Sequence, residues 1–131
     1  MTTVLETPSS TEGQPQRLLA ADGYALAATR YAAPGDKPRA RLIVASATAV
    51  PQGFYRRFAA FAAARGFETW TLDYRGIGLS APAELRGFRM NMLDWGRLDL
   101  AAVVDAIPDD GLPLYIAGHS IGGHAFGLLP N

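Results

Sequence analysis

Three short apolar runs, each followed by a segment with helical spacing, most strongly constrain what this chain can fold into. The runs are residues 41–46 (RLIVAS), 67–72 (FETWTL) and 112–118 (LPLYIAG). Runs this short and this apolar are typical of strands that are covered on both faces. Because strands that alternate with helices form parallel sheets with helices on both faces, the pattern predicts a three-layer α/β fold with a mostly parallel sheet.

The segments between these runs have helical periodicity. The first ends at Gly66 and places three aromatic residues on one helical face: Phe54, Phe58 and Phe61. The second spans residues 91–107 and ends before Pro108, and its apolar stripe consists of Leu93, Leu100, Val104 and Ile107. A third helix is expected to begin at or just after Ser120.

The first 40 residues follow a different pattern. Residues 16–20 and 24–32 are predicted to form two strands, joined at Asp22-Gly23, a dipeptide typical of hairpin turns. Residues 1–15 are rich in Thr, Ser, Pro, Glu and Gln and are expected to form a flexible tail. One domain then remains, over residues 16–131, because the chain is too short for two domains of ordinary size.

Charge and cysteine content restrict the partners and cofactors that we expect. Twelve basic and twelve acidic side chains cancel, so no net field directs the chain to nucleic acid or to an anionic membrane. Cysteine is absent, which excludes disulfides and zinc–thiolate sites and fits a reducing compartment, so we predict a cytoplasmic location. The first 16 residues have no basic start followed by an apolar run, so we expect no secretory signal there, and the uncharged residues 111–131 are expected to be too polar for a membrane span. No metal or cofactor is expected.

A serine between glycines follows the third apolar run, in the sequence GHSIGG at residues 118–123. A strand that turns into a helix within one residue needs a tight bend, and side chains beside that bend would collide. The pattern therefore predicts structural roles for Gly118, Gly122 and Gly123. It also predicts a strained backbone at Ser120, with a hydroxyl that stands clear at the carboxyl ends of the strands, where parallel sheets bind ligands.

The spacing Gly118-x-Ser120-x-Gly122 resembles the nucleophile elbow of the α/β-hydrolase superfamily, and the loop DYRGIGLS is similar to one that many members carry. The likeness extends from about Arg17 to Asn131 and is greatest to bacterial hydrolases grouped near serine aminopeptidases and esterases. It implies an α/β-hydrolase fold truncated after the elbow. It also implies that Ser120 attacks the carbonyl carbon of a small ester or amide substrate and forms an acyl-enzyme.

The resemblance further implies two backbone donors for the oxyanion. One is the N–H of Ile121. The other comes from the SATAV loop that follows the first apolar run, with Thr48 as the first choice and Ala47 and Ala49 as alternatives. Many members have His-Gly where this chain has Ser46-Ala47, so the second donor is left open among the three.

The chain has two histidines, and neither is expected to be the catalytic base. His119 adjoins Ser120, so its side chain should point away from the hydroxyl, and His124 lies one helical turn further on. In the superfamily the acid and the histidine follow the serine, whereas eleven residues follow it here. The prediction is a serine hydrolase whose acid and base are absent from this chain, so the chain alone should be inactive.

Two alternatives to a serine hydrolase are a non-catalytic fragment and a dinucleotide-binding domain. Against the second, Ser120 replaces the middle glycine of G-x-G-x-x-G and would block a pyrophosphate. Asp73 could orient a base, but we interpret it as a residue that binds nearby backbone amides.

The superfamily places a later strand beside residues 112–118. The edge of the sheet formed by these residues should therefore be exposed and promote self-association.

Overall fold

A five-stranded sheet forms the centre of the computed structural model, which describes residues 12–35 and 37–131. The strands are β1 (Gly13–Leu19), β2 (Ala25–Tyr31), β3 (Ala40–Ala45), β4 (Phe67–Leu72) and β5 (Leu114–Gly118). The α-helices are α1 (Arg56–Ala64), α2 (Ala101–Ala106) and α3 (Ile121–Phe126). Two 3₁₀ segments (Gln52–Tyr55 and Gly78–Ser80) and a π-helical segment (Trp95–Leu100) complete the elements.

The strand order is β1-β2-β4-β3-β5. Strand β3 pairs in parallel with both β4 and β5, as the alternation of strands and helices predicts. Strands β1 and β2 form the predicted antiparallel hairpin, whose turn contains Gly23 at a φ of 89°, and β2 pairs antiparallel with β4. The sheet is therefore mixed, with three parallel strands at the end where the serine lies.

Strand β1 begins earlier than the sequence predicts. It starts at Gly13 and includes Pro15, so residues 13–15, assigned to a flexible tail, belong to the sheet. Residues 1–11, which hold the rest of that tail, lie outside the described residues. Pro15 is compatible with this position because β1 is an edge strand, where one row of backbone groups needs no partner in the sheet.

Helices cover both faces of the sheet, which confirms the three-layer prediction. Helix α1 packs on one face, in a cluster that contains Tyr31, Ala59 and Ala63. The π-helical segment, α2 and α3 cover the other face. The buried cluster there consists of Ala28, Ile43, Ala45, Trp70, Leu72, Tyr74, Trp95, Leu100, Val103 and Ala125.

The aromatic residues of the first helical segment are exposed rather than buried against the sheet. Phe54, Phe58 and Phe61 are 71%, 48% and 55% exposed, whereas Ala59 and Ala63 are fully buried. Small side chains let α1 lie close against β4, so the alanines carry the packing. Phe58 and Phe61 line one open apolar cavity with Leu42 of β3 and Tyr115 of β5, whereas Phe54 lies in the preceding 3₁₀ segment and does not line that cavity.

A cluster of three charged side chains links the β1–β2 turn to the π-helical segment. Buried Asp99, in the π-helical segment, accepts hydrogen bonds from the backbone N–H of Arg75 (2.8 Å) and from its Nε (2.9 Å). The same guanidinium donates to Asp22 in the hairpin turn, with Nη1 2.7 Å from Oδ2. Arg75 holds the pKa of Asp22 below its ordinary value, while burial raises the pKa of Asp99.

Candidate active site

The chain bends sharply between β5 and α3, and Ser120 lies at the bend. Only two residues, His119 and Ser120, separate the last residue of β5 from the first residue of α3. Ser120 has a φ of 58° and a ψ of −116°, a conformation that residues other than glycine rarely adopt. Its side chain is exposed. The backbone therefore presents a hydroxyl at the carboxyl end of a parallel strand.

Close packing explains two of the three glycines around Ser120. A Cβ atom on Gly118 would lie 2.5 Å from the backbone N of Gly123, and one on Gly122 would lie 2.0 Å from the carbonyl oxygen of Ala45. Both distances are far below van der Waals contact. A Cβ on Gly123 itself would meet no atom within 4 Å, so the predicted structural role of Gly123 has no steric basis in this structure.

The first turn of α3 leaves one backbone donor beside Ser120. The N–H groups of Gly122 and Gly123 donate to the carbonyl oxygens of His119 and Ser120, each at 3.0 Å. The N–H of Ile121 has no acceptor within residues 12–35 and 37–131. That group is the one for which the resemblance implies an oxyanion-binding role.

The loop after β3 lies beside the elbow, and its hydrogen bonds narrow the choice of the second donor. The N–H of Ala47 donates to the hydroxyl of Tyr55 at 2.9 Å, so it is already occupied. Thr48 and Ala49 are exposed, and Ala49 has a φ of 60°. Thr48 and Ala49 are the two candidates whose N–H groups have no acceptor in the described part of the chain.

Buried side chains fix both ends of this loop. At its start, the Ser46 hydroxyl donates to the carbonyl oxygen of Leu72 at 3.1 Å. At its end, the backbone N–H of Gln52 donates to Asp73 Oδ1 at 2.7 Å, and the Gln52 amide nitrogen donates to Asp73 Oδ2 at 3.1 Å. Asp73 also accepts from the N–H of Leu79 at 3.0 Å, so it binds backbone amides as expected. The loop is therefore held in place by side-chain hydrogen bonds as well as by its own backbone.

Neither histidine hydrogen-bonds to the Ser120 hydroxyl in the part of the chain that the structure describes. His119 directs its Nδ1 to the hydroxyl of Tyr55, at 2.8 Å, and His124 is exposed on α3. His124 instead lines a cavity of about 400 Å³ together with Met92, Leu93, Ile121, Ala125 and Leu128. Tyr55 carries a contact that periodicity could not reveal, because its partners are 8 and 64 residues away in sequence.

The described residues show two further features of the site's surroundings. Among residues 12–35 and 37–131, no group of three or more His, Cys, Asp or Glu side chains is arranged to hold a metal ion. Within the same residues, no helix has the length and hydropathy needed to cross a bilayer.

Solved structures similar to this chain are α/β hydrolases. A thermostable carboxyl esterase from Bacillus coagulans, in complex with glycerol, has 19% identity and a TM-score of 0.71, over 87% of this chain and 38% of the esterase. A serine hydrolase without a lid from Xanthomonas campestris has 18% identity and a TM-score of 0.66, over 93% and 56%. A soluble variant of monoglyceride lipase from Saccharomyces cerevisiae, bound to a substrate analogue, has 20% identity and a TM-score of 0.62, over 91% and 38%.

These comparisons define the class: the chain has the α/β-hydrolase fold. It belongs to the hydrolase family described as serine aminopeptidase, S33, which matches residues 36–128. The match includes the SATAV loop and the elbow. No curated protein sequence matches the chain. The chain spans between 38% and 56% of the length of the three solved structures above.

Proposed function

We propose that this chain is the nucleophile-bearing part of a serine hydrolase that cleaves a small ester or amide through an acyl-enzyme at Ser120. The observation that carries the proposal is the exposed Ser120 at a φ of 58°, on a bend between a parallel strand and a helix. Strain of this kind persists where the surrounding structure enforces it and is concentrated at functional sites. Here Gly118 and Gly122 permit the close packing that enforces it.

The reaction begins when Ser120 Oγ attacks the carbonyl carbon of the substrate and transfers its proton to a general base. The carbonyl oxygen becomes an oxyanion, which the N–H of Ile121 and the N–H of Thr48 stabilise. Collapse of the tetrahedral intermediate breaks the ester or amide bond, and the protonated base returns its proton to the leaving group. Water then attacks the acyl-enzyme by the same route and releases the acid.

The base is a histidine other than the two in this chain, and the acid that orients it also lies outside the chain. His119 is engaged with Tyr55, and His124 lies on the flank of α3. Loss of the base in a serine triad lowers the rate by roughly a million-fold. The 131-residue chain alone should therefore be nearly inactive, and activity is expected in a polypeptide that also supplies the acid and the histidine.

A fluorophosphonate probe tests this proposal, because it reacts with activated serines. We expect labelling in the full-length gene product, loss of labelling in Ser120→Ala, and very slow labelling of the 131-residue chain. Rapid labelling of the 131-residue chain would mean that His124 or a second chain supplies the base. Binding of NAD without labelling would favour a dinucleotide-binding domain and contradict the hydrolase.

A pair of substitutions tests the second donor. Thr48→Pro removes the backbone N–H, and we expect a loss of roughly 10²–10³ in kcat, as for other oxyanion donors. Thr48→Ala is the matched control, because it changes the side chain and keeps the N–H, so its kcat should stay within a few-fold of the unsubstituted protein. An equal loss in both variants would shift the role to the Thr48 hydroxyl or to Ala49.

We further propose that the 131-residue chain self-associates through β5, whose outer edge has no strand beside it in the described residues. Strand β5 contains exposed Tyr115 and Leu114 and no charged residue. Such an edge offers unpaired backbone groups to a second chain.

A cytoplasmic location stays a prediction from the sequence.

A further inference from the structure

The hydroxyl of Tyr55 lies between the loop after β3 and the elbow. It accepts a hydrogen bond from the N–H of Ala47 at 2.9 Å and lies 2.8 Å from Nδ1 of His119. The Tyr55 and His119 rings meet edge to face, with centroids 5.8 Å apart. Tyr55 is 8% exposed and its bond with Ala47 is buried, whereas His119 is exposed and its contact with Tyr55 is only partly buried.

The direction of the contact between Tyr55 and His119 and the tautomer of the histidine depend on each other. A phenol has one proton to donate. The Tyr55 oxygen already accepts a hydrogen bond from the N–H of Ala47. If the hydroxyl proton is donated to Nδ1 of His119, both the acceptor and the donor of Tyr55 have a partner. Nδ1 must then be unprotonated, which places the imidazole proton on Nε2. In this form His119 is a neutral acceptor, with no lone pair left to take a proton from Ser120.

The two ends of the contact adjoin the two parts of the candidate active site. Ala47 directly precedes Thr48, and His119 directly precedes Ser120. An oxyanion hole works only when its donors lie about 2.7–3.1 Å from the developing negative charge. The loop also contains Ala49 at a φ of 60°, a strained conformation that needs support from its surroundings. The Tyr55 bridge between Ala47 and His119 therefore joins the loop of the Thr48 donor to the elbow, in addition to the backbone hydrogen bond from the N–H of His119 to the carbonyl oxygen of Ala45 at 3.0 Å.

We propose that Tyr55 and His119 form a positioning pair that holds the Thr48 donor at a fixed distance from Ser120. The pair acts through the N–H of Ala47 and touches neither substrate nor the reacting atoms. Its effect on the reaction rests on the proposed function. The hydrogen-bonded bridge itself does not, so the two can be tested separately.

Hydrogen exchange at the Ala47 amide tests the bridge directly. The experiment uses NMR on the full-length gene product and compares Tyr55→Phe with Tyr115→Phe, which removes an exposed tyrosine hydroxyl from β5. We expect Tyr55→Phe to accelerate exchange at Ala47 by about tenfold, the effect of losing one hydrogen bond, and Tyr115→Phe to leave it unchanged. Equal exchange rates in the two variants would overturn the proposal.

The form of His119 provides a measurement that needs no substitution. The ¹⁵N spectrum of the unsubstituted protein should show His119 with a protonated Nε2 and an unprotonated, hydrogen-bonded Nδ1. A protonated Nδ1 would contradict the proposed direction of the bond. Assignment of the imidazole nitrogens is independent of whether Ser120 reacts with any substrate.

Two substitutions of His119 test the consequence for the reaction. His119→Asn places Oδ1 at about the position of Nδ1 and keeps an acceptor for Tyr55, whereas His119→Leu removes it. We expect His119→Leu to lower kcat about tenfold with little change in KM, and His119→Asn to restore most of that loss. Equal kcat values for the two variants would overturn the positioning role. If Ser120 is unreactive in every form, the proposed function fails, and exchange at Ala47 still decides the bridge.

Discussion

The two edge strands of the sheet differ in the residues that discourage pairing with a further strand. Strand β1 carries Pro15, which has no N–H to donate, and the charged Arg17. Strand β5 has the sequence LYIAG, with no proline and no charge, although Tyr115 is 56% exposed. Natural proteins protect their edges with proline and charge. Strand β1 is therefore built as an edge, whereas β5 has the composition of an interior strand.

The two edge strands also differ in how near they lie to the candidate active site. The turn beside β1 is tied down by the Asp22–Arg75–Asp99 cluster, and no proposed catalytic group lies on β1. The elbow follows β5 directly, and the loop that carries Thr48 follows its neighbour β3. The strands that bear the proposed chemistry thus lie at the less protected end of the sheet.

The largest expected effect is at the elbow. Gly122→Ala would bring a Cβ to 2.0 Å from the Ala45 carbonyl oxygen, so α3 must shift away from β3. We expect a loss of about 3 kcal/mol in the free energy of unfolding of the full-length gene product, measured in urea.

Gly123→Ala is the matched control, because a Cβ there meets no atom within 4 Å. It should leave stability unchanged or raise it by less than about 1 kcal/mol, since alanine favours a helix. Equal destabilisation by the two substitutions would remove the steric explanation of the elbow.

A smaller effect is expected from a charge on the exposed edge. Tyr115→Lys places a positive charge on β5, and repulsion between two such edges should raise the dissociation constant for self-association of the 131-residue chain by about tenfold. Sedimentation equilibrium measures this constant. Leu19→Lys adds the same charge to β1 and should have no effect. A monomeric unsubstituted chain with a sharp thermal transition would contradict self-association.

The smallest effect concerns the protected edge. Asp22→Asn removes the charge that pairs with Arg75 and keeps an acceptor for the N–H of Tyr24. Near pH 7 we expect a loss of about 1 kcal/mol in the free energy of unfolding. Because Arg75 holds the pKa of Asp22 below its ordinary value of 3.8, the pair stabilises the folded state above that pH.

The difference between the unsubstituted protein and Asp22→Asn should therefore shrink as the pH falls below about 4, where the unfolded chain takes up a proton at this carboxylate first, and vanish below the lowered pKa of the folded state. Urea unfolding at several pH values measures it. Asp109→Asn, an exposed carboxylate, is the control. A difference that stays constant between neutral and acidic pH would exclude the ion pair as its source.

The arrangement of strands, the hairpin and the bend at Ser120 could be predicted from the sequence, because each depends on local patterns. Apolar runs of six or seven residues indicate buried strands, and Gly118 and Gly122 flank a residue whose backbone is forced to positive φ. The same reasoning assigned Asp73 to backbone amides, and the structure confirms this.

Contacts between distant segments could not be predicted in this way. The bridge from Ala47 through Tyr55 to His119 joins residues that no periodicity links. Periodicity also cannot decide which residues of α1 are buried. Ala59 and Ala63 are fully buried because small side chains allow close contact with β4, whereas Phe58 and Phe61 line an open cavity beside the sheet. The start of β1 was misplaced because Pro15 weakens the strand pattern.

Peptide mass spectrometry of the fluorophosphonate-treated full-length gene product tests most directly whether the bend after β5 presents a nucleophile. The account predicts one adduct, on the peptide that contains Ser120, and none in Ser120→Ala. An adduct on another residue, or equal labelling of the Ser120→Ala variant, would contradict it.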